Sequence, residues 1–289
     1  MNPTETDSPA NPGGPIPLRE LTGAWRTAHY AAQAAAELGK AWAEQRADDS
    51  HSSLGWVDSP TGPAFEGVPA VGPTPVRARL VVPSLTLRLA DGSREHASLQ
   101  LQGRTLDDAL RWARSSAEKV LGPPRQQARP APDLPDHPIA RGAPFAASPA
   151  LAHLAHLYAL TDAVLADLRD ADPRFGPARC WPHHFDHASL AVVRTDDAGD
   201  MTATIGVGVT PPDPVDPSGY WYVSPWTRAD PPTGVADTPL PAGHWLARDT
   251  AGPMAVLPLA RLADPGPDAA LVAAFVSAAV AACDAALRR

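Results

Sequence analysis

The sequence predicts an α+β fold in which two similar halves, each running helix, antiparallel strands, helix, pack as one body. Three observations predict it. Apolar residues spaced three and four apart mark long helices near residues 18, 106, 148 and 268. Period-two runs such as "LTLRL" and "TATIGVGVT" mark strands between them. The order of elements before residue 122 recurs after residue 148.

At 289 residues with 44% apolar content, the chain can bury a sizeable core. Residues 1–17 are polar and rich in Pro and Gly, and read as a disordered tail with no signal-peptide character. Residues 18–121 form the N-terminal half. Over 18–46, Leu21, Trp25, Ala28, Ala32, Ala35, Gly39 and Trp42 draw one apolar stripe whose middle is small enough for close approach. "VRARLVV" is a strand. Leu85, Leu87 and Leu89 line one face of a hairpin that turns at Asp91-Gly92 and returns through Leu99 and Leu101. Thr105 with Asp108 forms a capping box for the next helix, and Gly122 stands where a C-terminal glycine belongs.

Residues 122–147 are a proline-rich strap. Eight prolines in residues 122–149 forbid helix interiors, while Leu134, Ile139 and Phe145 can pin an extended segment to a surface. Residues 148–289 form the C-terminal half. Ser148-Pro149 opens a helix, and strands follow in "SLAVVR", "TATIGVGVT", "GYWYVSPW" and "MAVLPLARL". A nearly all-apolar helix over 268–287 closes the chain, and its composition predicts burial all round. The stretches "SHSSL" (50–54) and "DHASL" (186–190) are alike, which suggests an internal duplication.

A net charge of −8 with no local basic cluster argues against a nucleic-acid partner. No run of eighteen apolar residues predicts a membrane span. The two cysteines, Cys180 and Cys283, suit a reducing cytoplasm, and a homodimer is compatible with the chain. No G-x-S-x-G, P-loop, G-x-G-x-x-G or H-E-x-x-H motif occurs.

Chemistry concentrates in "CWPHHFDHASL", which sets Cys180, His183, His184, Asp186 and His187 within eight positions. Three readings follow. As a metal site, Cys180, His183 and His184 are ligand types, joined by distant groups such as His51, His137 or His244. Read as an extended segment, however, it sends His183 and His184 to opposite faces and puts His184 with Asp186. As a ligand pocket, His183, His184 and Asp186 join Tyr222, Trp226 and His244 around a small organic molecule, beside the low Gly206/Gly208 face of its strand. Asp186 would then orient His184; in an enzyme such as a metal-assisted hydrolase the two would be base and orienter, or ligands. As architecture, Trp181-Pro182 makes a rigid turn, a His–Asp pair ties down backbone and Phe185 enters the core. No cofactor is specified. His29, one turn after Trp25, reads as a packed histidine, and Cys283 as a small hydrophobe.

With "IGVGVTPPD", "YWYVSPW", "LPAGHW" and "AVLP", the stretch "RCWPHHFDHASL" resembles an uncharacterised bacterial family, a domain of unknown function. That family carries W-P-x-H-F-D-(L/I)-A, then Y-(F/W)-Y-x-(S/T), then a late W-H-T-E-G-W-x-G-A-V-L-P segment. The likeness covers most of residues 18–285 and implies no activity. His187 stands where the family has an aliphatic residue, and Leu246 where it has histidine.

Overall fold

A computed structural model describes residues 16–72, 75–92, 94–129, 134–248, 252–262 and 268–288. All but the last two positions of the expected N-terminal tail lie outside the described residues. Mixed helix and strand content makes the fold α+β, with four α-helices and one eleven-stranded antiparallel sheet among the described residues.

Helix α1 (Leu18–Trp42) leads into β1 (Leu54–Ser59), β2 (Gly62–Gly67), β3 (Arg77–Val81), β4 (Thr86–Ala90), β5 (Glu95–Gln100) and α2 (Leu106–Leu121). After the strap come α3 (Ala150–Ala171), β6 (Arg179–Cys180), β7 (His187–Thr195), β8 (Met201–Thr210), β9 (Tyr220–Thr227), β10 (His244–Leu246), β11 (Met254–Pro258) and α4 (Ala269–Leu287). The sheet order is β10-β11-β9-β8-β7-β6-β1-β2-β3-β4-β5. The meander β1 to β5 and the run β6 to β9, extended by β11 and then β10 at the edge, therefore meet at β1 and β6, where Leu54 pairs with Cys180. His51 lies in a 3-10 turn ahead of β1 and His187 lies inside β7, so the two similar pentapeptides occupy unlike elements.

Helix α1 is buried on all sides from Ala24 to Trp42 save a few positions, not along one stripe. It packs on β2 and β3 with α2 and α3 beside it, and the strap crosses it. Gly39 sits in that crowd: a Cβ there would lie 2.0 Å from the His51 carbonyl oxygen and 3.2 Å from Val68 Cγ2. Helix α2 starts with the expected capping box, Thr105 and Asp108 each bonding the other's backbone N–H. Pro149, not Ser148, precedes α3, and no side chain caps it.

The described parts of the strap are tied down at several points. Backbone N–H groups of Arg125 and Gln126 donate to the Ala41 carbonyl, Tyr30 donates to the Pro135 carbonyl (2.7 Å), and Phe145 pairs with Gln102 as an added parallel bridge. Ile139 and Phe145 are buried, and Leu134 packs against the core.

Helix α4 corrects two expectations. It has the length and composition of a membrane span, so the sequence does contain such a segment. It is also not buried all round. Val272, Phe275, Val276, Ala279, Cys283 and Leu287 face β8, β9 and α3, while Ala273, Ala274, Ala281 and Ala285 are exposed. Alanine's small apolar area costs little in water, which lets an apolar sequence keep an open side.

Candidate functional site

The W-P-H-H-F-D segment is the loop of a hairpin between β6 and β7, and it is not extended. The backbone N–H groups of His184 and Phe185 both donate to the Trp181 carbonyl (3.1 and 2.6 Å), and that of Trp181 donates to the Asp186 carbonyl (3.2 Å). Phe185 takes a left-handed φ of +60°, which costs a bulky residue about 1–3 kcal/mol. Full burial of its ring contributes about 1.5–3 kcal/mol, so further contacts must hold it.

Those contacts come from two helices. Tyr158 on α3 accepts from Trp25 Nε1 (2.6 Å) and donates to the Phe185 carbonyl (2.8 Å). On α1, His29 stacks on Phe185 with centroids 5.1 Å apart and planes at 7°. His29 Nε2 and Gln33 Nε2, one turn apart, both contact the Pro182 carbonyl (2.9 and 2.5 Å). Burial pushes His29 down to about 4 despite that bond, so it is neutral and donates through Nε2. Phe185 is thus a plug among Phe65, Tyr158 and His29.

Because the plug turns inward, its neighbours turn outward. The His183 and His184 rings lie 4.3 Å apart, centroid to centroid, and line one cavity. The expectation that they occupy opposite faces fails, because it assumed extended backbone where a turn forms. Asp186 Oδ2 accepts from Tyr222 (3.0 Å). Its Oδ1 is closed to solvent and has no hydrogen-bond partner. Burial raises the Asp186 carboxyl, with Tyr222 and the two histidines opposing that shift. Among the described hydrogen bonds Asp186 has none to His184, so its orienting partner is Tyr222.

The cavity measures about 600 Å³, within the ~300–1,000 Å³ of small-molecule sites. His183, His184, Asp186 and Tyr222 line it together with His29, Tyr220, Ser224, Arg248, Met254 and the loop Pro211–Pro214. Tyr220 and Tyr222 project from the same face of β9, opposite Thr210 and Gly208 of β8. Gly208 is required there: a Cβ would meet the His187 carbonyl oxygen at 2.5 Å and Ala188 Cβ at 2.6 Å. Tyr220 donates to Asp213 Oδ2 (2.8 Å), and Arg248 Nη2 donates to Ser224 Oγ (2.8 Å).

Trp226 and His244 do not line this cavity. Trp226 lies four residues beyond Tyr222 on β9, about 13 Å along the strand. His244 stands across β11, with Val256 between it and Tyr222, about 10 Å away. The other ligand candidates are dispersed as well. Burial holds the Cys180 thiol well above its ordinary value, hence neutral. His137 caps a 3-10 turn of the strap, and His51 lines a neighbouring cleft. Among the described residues no group of three or more His, Cys, Asp or Glu is arranged to hold a metal ion.

Sequence reasoning missed Tyr220, Asp213 and Arg248. The alternation of "YWY" pairs Tyr220 with Tyr222 and could have found the first; nothing local marks the other two. His187 is a buried core group, its Nε2 3.0 Å from Asp162 Oδ1 on α3. Comparison with protein-family models, with curated proteins and with solved structures finds no match to this chain.

Proposed function

We propose that this chain binds a small organic molecule in the cavity between the β6–β7 loop and β9, with Asp186 taking a donor group of the ligand. The observation that carries this reading is Asp186, which lines the cavity, is held by Tyr222 through Oδ2 and has no hydrogen-bond partner at Oδ1. A buried polar atom left unsatisfied costs about 1–3 kcal/mol, and a ligand N–H or O–H would remove that cost. Tyr220 and Tyr222 supply flat, amphipathic walls.

The contact between the His183 and His184 rings supports a second reading, in which the pair works on the bound molecule as an acid–base group or as metal ligands. Burial, with His184 nearby, lowers His183, which favours a neutral imidazole able to accept a proton.

A thermal-shift screen of metabolites and divalent metals, run on the wild type and on Asp186→Asn, tests both readings. A compound that stabilises the wild type and not a folded Asp186→Asn supports the cavity reading. No such compound, with a large loss of melting temperature in the variant, would mean that the motif is architectural.

The proposal extends to kinship with the uncharacterised bacterial family sharing W-P-x-H-F-D, to a cytoplasmic location and to an internal duplication. The duplication is supported by element order, since α1, β1 to β5 and α2 correspond in sequence along the chain to α3, β6 to β9 with β11, and α4. Antiparallel contact of β1 with β6 is what a local two-fold axis would produce. Two buried, unpaired cysteines suit a reducing compartment.

A further inference from the structure

Beside the cavity, and sharing His183 with it, lies a second cleft of about 240 Å³. The end of α1 contributes Lys40, the turn before β1 contributes Arg46, Asp49, His51 and Ser52, and the strap contributes Arg129. One lysine and two arginines therefore face one carboxylate, Asp49. None of the three forms an ion pair among the described residues.

Lys40 is the most telling. It is half-buried, and among the described residues its Nζ reaches only Gln33 Oε1 at 3.4 Å. The nearest acid on its own helix, Glu37, is taken by Arg114. A lysine near a helix C-terminus often satisfies the last carbonyls, but here the strap does that. Gln126 Nε2 donates to the Lys40 carbonyl (2.9 Å), and the Arg125 and Gln126 N–H groups donate to that of Ala41. His51 adds a further donor: its Nδ1 accepts from the Arg46 N–H (3.2 Å), which leaves Nε2 to carry the proton. Burial disfavours the Lys40 ammonium and Glu37 offsets that only in part, and this cleft supplies Arg forks, a point charge and neutral donors around one small space.

We propose that this cleft is a binding site for a phosphate group, and that the phosphate belongs to a small soluble monoester whose remainder enters the adjoining cavity past His183. The second clause rests on the cavity reading above; the first does not. At 240 Å³ the cleft falls below the ~300–1,000 Å³ of sites for whole drug-sized ligands and suits a single group.

Calorimetric titration with inorganic phosphate, against chloride of matched ionic strength, tests the site. The wild type is expected to bind saturably, with Kd on the order of 1 mM or tighter. Lys40→Met should weaken binding by about tenfold or more, as should Arg129→Gln. Arg129 is exposed on the strap, so its variant serves if Lys40→Met does not fold. Trp226→Ala, at an exposed position of β9 that lines neither pocket, should bind phosphate like the wild type. Absence of saturable binding, unchanged affinity in Arg129→Gln, or loss of phosphate in a folded Trp226→Ala would each overturn the cleft. Glycerol phosphate binding without co-sedimentation on phosphatidic acid vesicles is expected; the reverse would assign the phosphate to a lipid headgroup and overturn the soluble monoester. Phosphate binding with no cavity ligand found would sink only the cavity reading.

Discussion

The Tyr222 hydroxyl donates to Asp186 Oδ2 at 3.0 Å, while the other oxygen of the same carboxylate is sealed from water without a partner. One oxygen is held and the other is left without a partner.

Burial raises the Asp186 carboxyl above its ordinary value. The folded chain therefore holds this proton more tightly than the unfolded chain. Stability falls as pH climbs from about 4 through the raised value, because the ionised form is disfavoured inside. Asp186→Asn should flatten this limb and melt no lower than wild type at neutral pH. Melting temperatures of both proteins across about pH 4–8 check it; superimposable profiles would remove Asp186 from the effect.

His29 carries the opposite sign. Its folded value of about 4 lies below the ordinary 6.5, so the unfolded chain binds the proton more readily. Stability is complete above about 6.5 and is lost as pH falls towards 4, by up to about 3 kcal/mol. His29→Gln, which can still donate to the Pro182 carbonyl, should lose much of that slope. Urea unfolding at several acid pH values measures it.

Tyr158 joins Trp25 to the left-handed Phe185. In Tyr158→Phe the Phe185 carbonyl loses its donor and Trp25 Nε1 its acceptor, both in the interior. We expect a loss of about 1–3 kcal/mol at unchanged urea m-value. A loss confined to a few tenths would show that ring packing alone holds the plug.

Gly39 opposes two effects of known size. In an open helix, Gly→Ala stabilises by about 0.8–1 kcal/mol. Here the new methyl would sit 2.0 Å from the His51 carbonyl oxygen, and overpacking against backbone costs about 1–3 kcal/mol. Gly39→Ala should therefore destabilise, and chemical denaturation decides the sign.

The elements with strong periodicity or explicit end signals were legible: α2 with its capping box, the β4–β5 hairpin, β8 and β9 with their alternation. The β1–β2 hairpin was not, because "LGWVDSPTGPAFEG" alternates weakly and three of its fourteen residues are glycine. Strands β6 and β10 are two and three residues long, too short to carry a period. The motif itself was read as extended; nothing in six residues announces that Phe185 will take φ > 0, since the donor that holds its carbonyl lies 27 positions earlier.

What the chain dictates locally is which segments become helix or strand and which faces are apolar, because those follow from spacing and from turn and cap chemistry within a few residues. It also marks the one stretch where histidine and carboxylate crowd together. Only the packed fold decides their roles. It turns Phe185 inward and brings His183, His184 and Asp186 to the lining of one cavity, supplies Tyr222 as the partner of Asp186, and gathers Lys40, Arg46 and Arg129 from three separate segments into one cleft. A chain of net charge −8 shows no basic cluster along its length; electrostatic neighbourhoods depend on distance in space, which folding sets and sequence order does not.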